Sequence, residues 1–383
     1  MTSELPASRR QQILDRVRLD GEALVKSLAE DLGVSTITVR RDIAALAEQN
    51  LLEQVRGGAR RLEASAEAEP SDLTVPSHPA AKIAMVVPSM RYYWPTILRG
   101  AGDAAQRLGV DLSIHVSMAN AEANRLVVDQ IAADSATEAL IIAPEMRAGA
   151  ASEQLVERLA ELSIPVVLAE RGIESHGALD RVFDTVRSDH SSGAAMAVRH
   201  LASLGHRRIA FEGDPHSPTN PFVESGYTRC VELLGLSGIA APSHVLDPHG
   251  AQPFEQIDAV LEHYREMGTT AALVHSDVAA TLLVQHATRR GWSIPGDLSL
   301  VAYDDELSVT TRPALTAVAP SKYALGERAV ELALQRLEAP GAPIEQVRLL
   351  PELRVRDSTA ALEDALVGAS GPDPASTTAA GPA

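Results

Sequence analysis

A segment near the start of the chain, rich in hydroxyl groups and arginines, has the chemistry of a DNA-reading helix. Ser35, Thr36 and Thr38 can donate hydrogen bonds to bases or phosphates, and Arg40 and Arg41 follow at once. Guanidinium groups pair with phosphate, or with guanine in a bidentate contact. Because a helix fits the major groove with its N-terminal end near the base edges, we predict that these five residues contact double-stranded DNA.

Two more arginines belong to a predicted hairpin. Arg56 and Arg60 flank Gly57 and Gly58, and short alternating segments on both sides of the glycines indicate a β-turn. Upstream, apolar spacing predicts helices over Ser8–Leu19 and Leu24–Leu32. A third helix, capped by Ser35, has a predicted buried side of Ile37, Val39, Ile43 and Leu46. Three helices and a hairpin make a winged helix-turn-helix; the alternative is a structural three-helix module with a solvated charged face.

From Ala81 onward, apolar runs alternate with amphipathic segments. The predicted strands are Ile83–Val87, Leu112–Val116, Ala139–Ile142, Val166–Leu168, Ile209–Glu212, Ala272–Val274 and Leu298–Ala302. The predicted helices are Thr96–Leu108, Ala123–Ala133, Ser152–Leu162, Ser191–Leu204, Pro221–Leu234, Gln252–Glu266 and Val278–Arg290. Such alternation predicts an α/β fold with parallel sheets and right-handed crossovers. Its length exceeds one usual core, so we expect two lobes.

Charge and composition narrow the class of protein. The 383 residues carry a net charge of −17. Through Leu62, however, ten basic residues stand against nine acidic ones, which leaves 34 − 10 = 24 basic and 51 − 9 = 42 acidic residues for the rest. A locally basic module thus precedes an acidic body. The single Cys230 excludes a disulfide framework, and no secretory signal or membrane-spanning run is visible, so we expect a cytoplasmic location.

The first 60 or so residues resemble the DeoR-type winged helix-turn-helix of bacterial transcription regulators. The most specific match is Val34-Ser35-x-x-Thr38-Val39-Arg40-Arg41-Asp42-Ile43, followed by Gly57-Gly58-Ala59. The resemblance implies sequence-specific DNA binding. It therefore favours the functional interpretation of the arginines over the structural one.

The body resembles the effector-binding core of the LacI/GalR family, which is similar to periplasmic sugar-binding proteins. The matching stretches, in the family's order, are Ile83–Pro88, Val186-x-x-Asp189, His200–Ala210, Ile294–Asp305 and Pro313–Val318. The resemblance implies two Rossmann-like lobes joined by three crossovers, with a small ligand between them. Parallel sheets generally bind ligands at the carboxyl ends of their strands, which agrees with that location.

The resemblance also implies an effector site of aromatic and charged residues, the chemistry that a sugar requires. The predicted effector-binding residues are Tyr93, Trp94, Glu145, Arg171, Asp189, Ser276, Asp277, Tyr303 and Asp304. Three polar positions of the family are lost, because Val223, Ser276 and Pro320 stand there. Glu145 and the side chains His216, Asn220 and His275 are candidates to replace the lost donors. The effector is then a sugar or a less polar, differently shaped metabolite.

Several of these residues have simpler interpretations. Asp304 can be a helix N-cap, Tyr93 and Trp94 core residues, and Arg171 half of an ion pair between lobes. We interpret His200 and His206 as structural and Cys230 as inert. The predicted organisation is a winged helix-turn-helix at 1–62, a linker at 63–80, a core at 81–360 and a disordered tail at 361–383. Lobe 1 is predicted at 81–204 and 316–338, and lobe 2 at 205–315 and 339–357.

The function that these observations predict is a DNA-binding transcription regulator, a repressor controlled by a small effector and acting as a homodimer on an operator. No phosphate loop, zinc-protease or nucleophile-elbow motif is present. We therefore expect no catalytic residues, no metal and no cofactor. A solute-binding protein or a metabolite-binding enzyme with an appended DNA-binding module remains the alternative.

Overall fold

The structure is a computed structural model, and it divides the chain into two compact units, Met1–Val75 and Pro76–Ala383. It describes residues 13, 16–17, 22–31, 34–48, 52–55, 57–60, 80–117, 120–146, 150–173, 183–214, 216–239, 247 and 252–362. The predicted linker, apart from Ala80, and the predicted tail from residue 363 lie outside the described residues, as does Arg56.

The N-terminal unit is a helix-turn-helix with a small antiparallel sheet. Its elements are β1 (Glu22–Leu24), α1 (Val25–Asp31), α2 (Thr36–Glu48), β2 (Glu53–Val55) and β3 (Gly58–Arg60), with the strand order β1-β3-β2. Gly58 is required at the β1–β3 contact, because a Cβ there would lie 2.3 Å from the carbonyl oxygen of Ala23. The core is formed by Ile13, Val17, Val25, Leu28, Ala29, Val39, Ile43, Leu46, Leu52 and Ala59.

Two predictions for this unit were wrong. Leu24 was expected to begin a helix, but it ends strand β1 and is 61% exposed, because it pairs with Gly58 of the hairpin. Ile37 was expected to be buried, but it is 72% exposed. Val39, Ile43 and Leu46 form the buried stripe of α2, and a residue two positions before Val39 lies on the opposite side of a helix with 3.6 residues per turn.

The C-terminal unit contains two six-stranded sheets, each covered by helices. Sheet 1 has the order β14-β8-β7-β6-β4-β5, and all its pairs are parallel. Its strands are β4 (Lys82–Val87), β5 (Asp111–Val116), β6 (Ala139–Ile142), β7 (Val166–Ala169), β8 (Asp184–Ser188) and β14 (Gln346–Leu349). Its helices are α3 (Trp94–Leu108), α4 (Ala121–Ala133), α5 (Ala150–Ala160) and α10 (Lys322–Glu338). We call this layered body lobe 1.

Lobe 2 contains the second sheet, with the order β10-β9-β11-β12-β13-β15, in which only the β13–β15 pair is antiparallel. Its strands are β9 (Arg208–Glu212), β10 (Ser237–Ile239), β11 (Ala271–Val274), β12 (Ser299–Tyr303), β13 (Thr316–Ala319) and β15 (Glu352–Arg354). Its helices are α6 (His190–Ser203), α7 (Asn220–Leu233), α8 (Pro253–Met267), α9 (Asp277–Arg289) and a 3₁₀ turn at Ser308–Thr310. The predicted α/β class with two parallel-sheet lobes is confirmed.

The lobe boundaries differ from the predicted ones at each crossing. Helix α6, predicted in lobe 1, packs in the lobe 2 core through Ala194, Val198 and Leu201. Strand β13 pairs with β12 and so belongs to lobe 2, whereas β14 pairs with β8 and belongs to lobe 1. The chain therefore crosses between lobes three times, after β8, after β13 and after β14.

Both sheets bury apolar strands between helical layers. In lobe 1 the two faces of the sheet form separate cores, one with α3 and α10 and one with α4 and α5. Lobe 2 has the same arrangement, with α8 and α9 on one face and α6 and α7 on the other. Strands buried on both faces need apolar residues at every position, which explains runs such as Ala139–Ile142. Among the described residues no helix is long and apolar enough to cross a membrane.

Candidate functional site

The first turn of α2 is organised by Ser35. Its Oγ accepts a hydrogen bond from the Thr38 backbone N–H at 3.2 Å and lies 2.9 Å from Thr38 Oγ1. This is an N-cap, which satisfies a backbone donor that a helix start leaves unpaired. Ser35 therefore positions the helix, and Thr36 beside it is exposed.

Three of the arginines that the structure describes in this unit are on its surface. Arg40 and Arg41 are exposed on α2, and Arg60 is exposed at the end of β3. Asp42, which follows the two arginines in the sequence, is 2% exposed, so its carboxylate does not share their surface. The exposed face of α2 is thus more basic than the sequence count suggested.

Ile37 is the residue of this face that the sequence analysis assigned to the core. It lies between the exposed Thr36 and the half-buried Thr38 and is itself 72% exposed. An apolar side chain at this place on a groove-reading helix can contact a thymine methyl group. Its position two residues before Val39 in the buried stripe was the signal that could have identified it.

In the C-terminal unit, two carboxyl groups of lobe 2 meet a tyrosine of lobe 1. Asp277 begins α9 after strand β11, and Asp304 follows β12 directly. The hydroxyl of Tyr92 donates to Asp277 Oδ1 and lies 3.0 Å from Asp304 Oδ2. Tyr92 was not among the predicted residues. It precedes α3 with a φ of +55°, and no sequence pattern identified it.

Asp277 also holds the loop that follows strand β12. Its Oδ2 accepts the backbone N–H of Glu306 at 2.6 Å and that of Leu307 at 2.5 Å. The side chain is fully buried, and burial raises its pKa above the ordinary 3.8 although these hydrogen bonds oppose the shift. Asp277 therefore fixes the loop after β12 beside the Tyr92 hydroxyl.

Asp304 is the more strongly perturbed acid. It is 6% exposed, and burial together with the nearby charge of Asp277 raises its pKa to about 7, against the attraction of Lys322 and His190. The Nζ of Lys322 donates to the Asp304 carbonyl and pairs with Glu306. Burial and the carboxyl groups of Asp304 and Asp277 raise the pKa of Tyr92 far above 10, so its hydroxyl remains a donor.

A second tyrosine–carboxyl contact joins two residues of lobe 1, Tyr93 and Glu170, beside His190 of lobe 2. Tyr93 donates to Glu170 Oε1, and Glu170 Oε2 accepts the Ser188 backbone N–H at 2.8 Å. His190 Nε2 is 3.2 Å from the same Oε1. Burial alone would raise the pKa of Glu170, but His190, Tyr93 and Ser188 together lower it below 4.5. Glu170, which was not among the predicted site residues, thus contacts Tyr93, Ser188 and His190 at once.

Arg171 pairs with Glu145, and both residues belong to lobe 1, so the alternative of an ion pair between lobes is wrong. The guanidinium also lies 5.8 Å from the ring centre of Trp94. Trp94 is 5% exposed and packs in the lobe 1 core, in agreement with its simpler interpretation.

Three predicted effector-binding residues remain, and two of them make hydrogen bonds that stabilise the fold. Asp189 caps α6, accepting the Ser192 N–H at 3.0 Å. Tyr303 is fully buried, and its hydroxyl donates to the His190 carbonyl at 3.1 Å. Ser276 occupies the N-cap position of α9 without a side-chain cap hydrogen bond.

The side chains proposed to replace the family's lost polar contacts differ in burial. His275 is buried, with Nδ1 3.2 Å from Asn220 Oδ1. Burial and nearby His190 lower the pKa of His275 to about 3, so it is neutral. His216 is exposed and lies 3.3 Å from Asp247. No group of three or more metal-binding side chains occurs among the described residues.

Two family models match the chain. A DeoR-like helix-turn-helix domain matches residues 9–65, and a periplasmic binding protein-like domain matches residues 198–359. An uncharacterised HTH-type transcriptional regulator in the aml 5′ region of Streptomyces limosus is 31% identical over 246 residues, which cover 57% of this chain and 70% of the relative.

The chain belongs to the family of HTH-type transcriptional regulators. Another relative of this regulator is MalR of Streptomyces coelicolor, 32% identical over 214 residues, or 55% of this chain and 60% of MalR. The repressor PurR of Haemophilus influenzae is 26% identical over 350 residues, covering 88% of this chain and 98% of PurR.

Solved structures support the same fold for the core of this HTH-type regulator. A LacI family regulator from Enterococcus faecium with bound ribose has a TM-score of 0.59 and 24% identity, covering 73% of this chain and 99% of the other. A periplasmic binding protein/LacI regulator from Alkaliphilus metalliredigens, complexed with D-xylulofuranose, has a TM-score of 0.60 and 20% identity at the same coverage. The family models confirm the predicted combination of a DeoR-type module and a periplasmic-binding-protein-like core.

Proposed function

We propose that this regulator is a repressor whose affinity for its operator is controlled by a small hydroxylated effector bound between the lobes. The observation that carries the proposal is the pair of buried carboxyl groups, Asp277 and Asp304, at the carboxyl ends of neighbouring strands and facing lobe 1. Buried carboxyl groups need donors, and sugar hydroxyls supply them. The sugars bound to the two solved neighbours favour the same class of effector.

The DNA-binding part of the proposal rests on α2. The exposed Arg40 and Arg41, with Thr36 at the helix start and Arg60 on the hairpin, form the operator-contacting face. Arg56 belongs to the proposed set on sequence grounds alone. We place the protein in the cytoplasm, where bacterial DNA is, and assign it no catalytic role, in keeping with relatives that are transcription regulators.

A homodimer is part of the proposal, because two-fold symmetry matches palindromic operators. Strand β5 is an edge of sheet 1, and its Ile114 and Val116 are each 41% exposed. An exposed edge strand with apolar side chains is a surface on which a second copy can pack.

The operator test uses fluorescence anisotropy with DNA fragments from around the regulator's own gene. Arg40→Ala should weaken DNA binding. The plot of log affinity against log salt concentration should become less steep by about 1, because one phosphate contact is lost. Effectors should raise the melting temperature of Arg40→Ala as much as that of the wild type. Equal DNA affinity of the variant and the wild type across several salt concentrations would remove Arg40 from the interface.

The effector test is a thermal-shift screen of D-ribose, D-xylulose and cellobiose, since a compound that binds the folded state raises the melting temperature. For a compound that binds, Asp304→Ala should cost about 2–3 kcal/mol of binding free energy, because a buried hydrogen-bonding partner of the ligand is lost. A calorimetric titration that is the same for the variant and the wild type would contradict the assignment of Asp304.

A further inference from the structure

The strongest unassigned feature is the position of Tyr92, whose hydroxyl lies where an effector hydroxyl is expected. It extends from the loop between β4 and α3 of lobe 1 and contacts the carboxyl groups of Asp277 and Asp304 in lobe 2. We call these two contacts the Tyr92 bridge. No sequence motif and no comparison assigns a role to this residue.

The bridge uses acceptor atoms that are otherwise hidden from water. The Oδ2 of Asp277 is occupied by the N–H groups of Glu306 and Leu307, so Oδ1 depends on Tyr92. Asp304 is 6% exposed, and its carboxyl oxygen also faces the Tyr92 hydroxyl. A buried acceptor that loses its donor is costly, so the Tyr92 bridge favours the arrangement in which the lobes are together.

The Tyr92 hydroxyl has one proton, so it can donate to only one of the two carboxyl groups at a time. A phenol carries a single donor, whereas two adjacent hydroxyls, or a hydroxyl beside an ammonium group, carry at least one donor for each carboxyl group. Such a ligand would satisfy the acid pair better than Tyr92 does. An anionic ligand would not, because Asp304 and Glu306 each lie near the carboxyl group of Asp277.

We propose that Tyr92 is an internal substitute for the effector, which holds the lobes together in the free protein and must be displaced by a ligand with adjacent hydrogen-bond donors. This inference rests on the proposed function, since it places the effector at the same two carboxyl groups. It also predicts that removal of the Tyr92 hydroxyl increases the affinity for the effector.

Tyr93 provides a matched control. Its hydroxyl also donates to a buried carboxyl group, that of Glu170, but both residues belong to lobe 1. Tyr93→Phe and Tyr92→Phe each delete one phenolic oxygen from neighbouring positions. Only the second deletes a hydroxyl that itself contacts the other lobe, since the contact of Glu170 with His190 of lobe 2 does not involve the Tyr93 hydroxyl.

The decisive experiment measures the distance between lobes without any ligand. Spin labels are placed at the exposed Gln154 of α5 and Glu255 of α8 in the full chain with Cys230→Ser, and excess unlabelled protein suppresses signals between chains. Electron–electron double resonance should show a longer or broader distance distribution for Tyr92→Phe and an unchanged one for Tyr93→Phe. Tyr92→Leu, checked by circular dichroism, repeats the test with a smaller side chain.

Identical distributions for the wild type and both Tyr92 variants would overturn the proposal, whether or not any sugar binds. A second readout is calorimetric titration with D-ribose, D-xylulose and cellobiose. A compound that binds should bind Tyr92→Phe several-fold more tightly, because the fraction of protein competent to bind rises. Weaker binding would make Tyr92 a direct contact and contradict the displacement.

The two proposals can fail separately. If the distances change in Tyr92→Phe but none of the three sugars binds, the Tyr92 bridge stands and the effector class is wrong. If a sugar binds while the distances and affinities ignore Tyr92, the proposed function stands and the bridge does not.

Discussion

Glu212 shows how the fold can change the chemistry of a single side chain. It ends strand β9, is fully buried and accepts a hydrogen bond from Tyr264 at 2.8 Å, while its buried Oε2 accepts no hydrogen bond from any residue that the structure describes. Burial raises its pKa from 4.5 to about 8, against the smaller opposing effect of Tyr264. The group is therefore protonated in the folded protein at neutral pH.

This shift has a definite sign for stability. In the unfolded chain Glu212 ionises near 4.5, whereas the folded protein retains the proton to about 8. Its contribution to stability is fully present below 4.5 and is lost as the pH rises through about 8. Between these limits the free energy of unfolding falls by up to about 1.4 kcal/mol per pH unit. Asp304, with a pKa of about 7, acts in the same direction.

We expect Glu212→Gln to reduce the pH dependence of stability, because the amide cannot ionise. Urea unfolding at about pH 5 and about pH 8, followed by tryptophan fluorescence, measures the change. The loss of stability between the two pH values should be smaller in the variant. An equal loss would show that Glu212 does not hold a proton in the folded state.

At the scale of elements, helices α3 and α10 approach so closely that only glycine fits between them. A Cβ on Gly326 would lie 1.9 Å from the carbonyl oxygen of Ile97, and one on Gly100 would lie 2.0 Å from that of Tyr323. The N-termini of the same helices carry Trp94 and Lys322. The contact between the two helices thus sets the distance between their N-termini, which carry two residues of the candidate site.

Gly326→Ala should destabilise lobe 1 by about 1–3 kcal/mol, the usual cost of overpacking a well-filled contact. The matched control is Gly102→Ala on α3, where a Cβ would meet nothing within 4 Å and alanine favours the helix. Thermal unfolding of both variants provides the comparison. Equal melting temperatures would mean that the helices can separate without cost.

The recognition helix yields a prediction about Ile37, which the structure leaves 72% exposed. If this side chain contacts a thymine methyl group, Ile37→Ala should weaken binding to a duplex selected from a random library. Each thymine of the duplex is then replaced in turn by deoxyuridine, which lacks the methyl group. At one position, this replacement should lower the DNA affinity of the wild type and leave that of Ile37→Ala unchanged. The absence of any such position would exclude the contact.

Much of this architecture could be predicted from the sequence, but the partners in the site could not. Asp277 and Asp304 were identifiable because each follows an apolar strand. Tyr92 and Glu170 were missed because their importance depends on which side chains face them across the fold. Ile37 was misplaced because the apolar residue type was given more weight than its angular position on the helix.

At the scale of the whole molecule, three chain crossings join the lobes, so a ligand between them can act on the rest of the chain only by favouring one lobe arrangement. The change in operator affinity is limited by the difference in effector affinity between the two arrangements. If the Tyr92 bridge already holds the lobes together in the free protein, less change in lobe arrangement is left for the effector to produce.

The proposed homodimer supplies the prediction at this scale. Ile114→Lys with Val116→Lys on strand β5 should convert a dimer into a monomer in analytical ultracentrifugation, because charge opposes apolar packing at an edge. Leu233→Lys, at a position of lobe 2 that is 72% exposed, is the control. Dissociation by the control alone would move the interface to lobe 2.

The placement of tryptophan gives the protein an intrinsic optical label. The chain has two tryptophans, Trp94 in lobe 1 beside the Arg171 guanidinium and Trp292 in lobe 2 beside that of Arg265. With Trp292→Phe, all indole emission would come from a ring that packs against the ion pair of Arg171 and Glu145. Effector binding could then be followed in real time by stopped-flow fluorescence, with no dye attached.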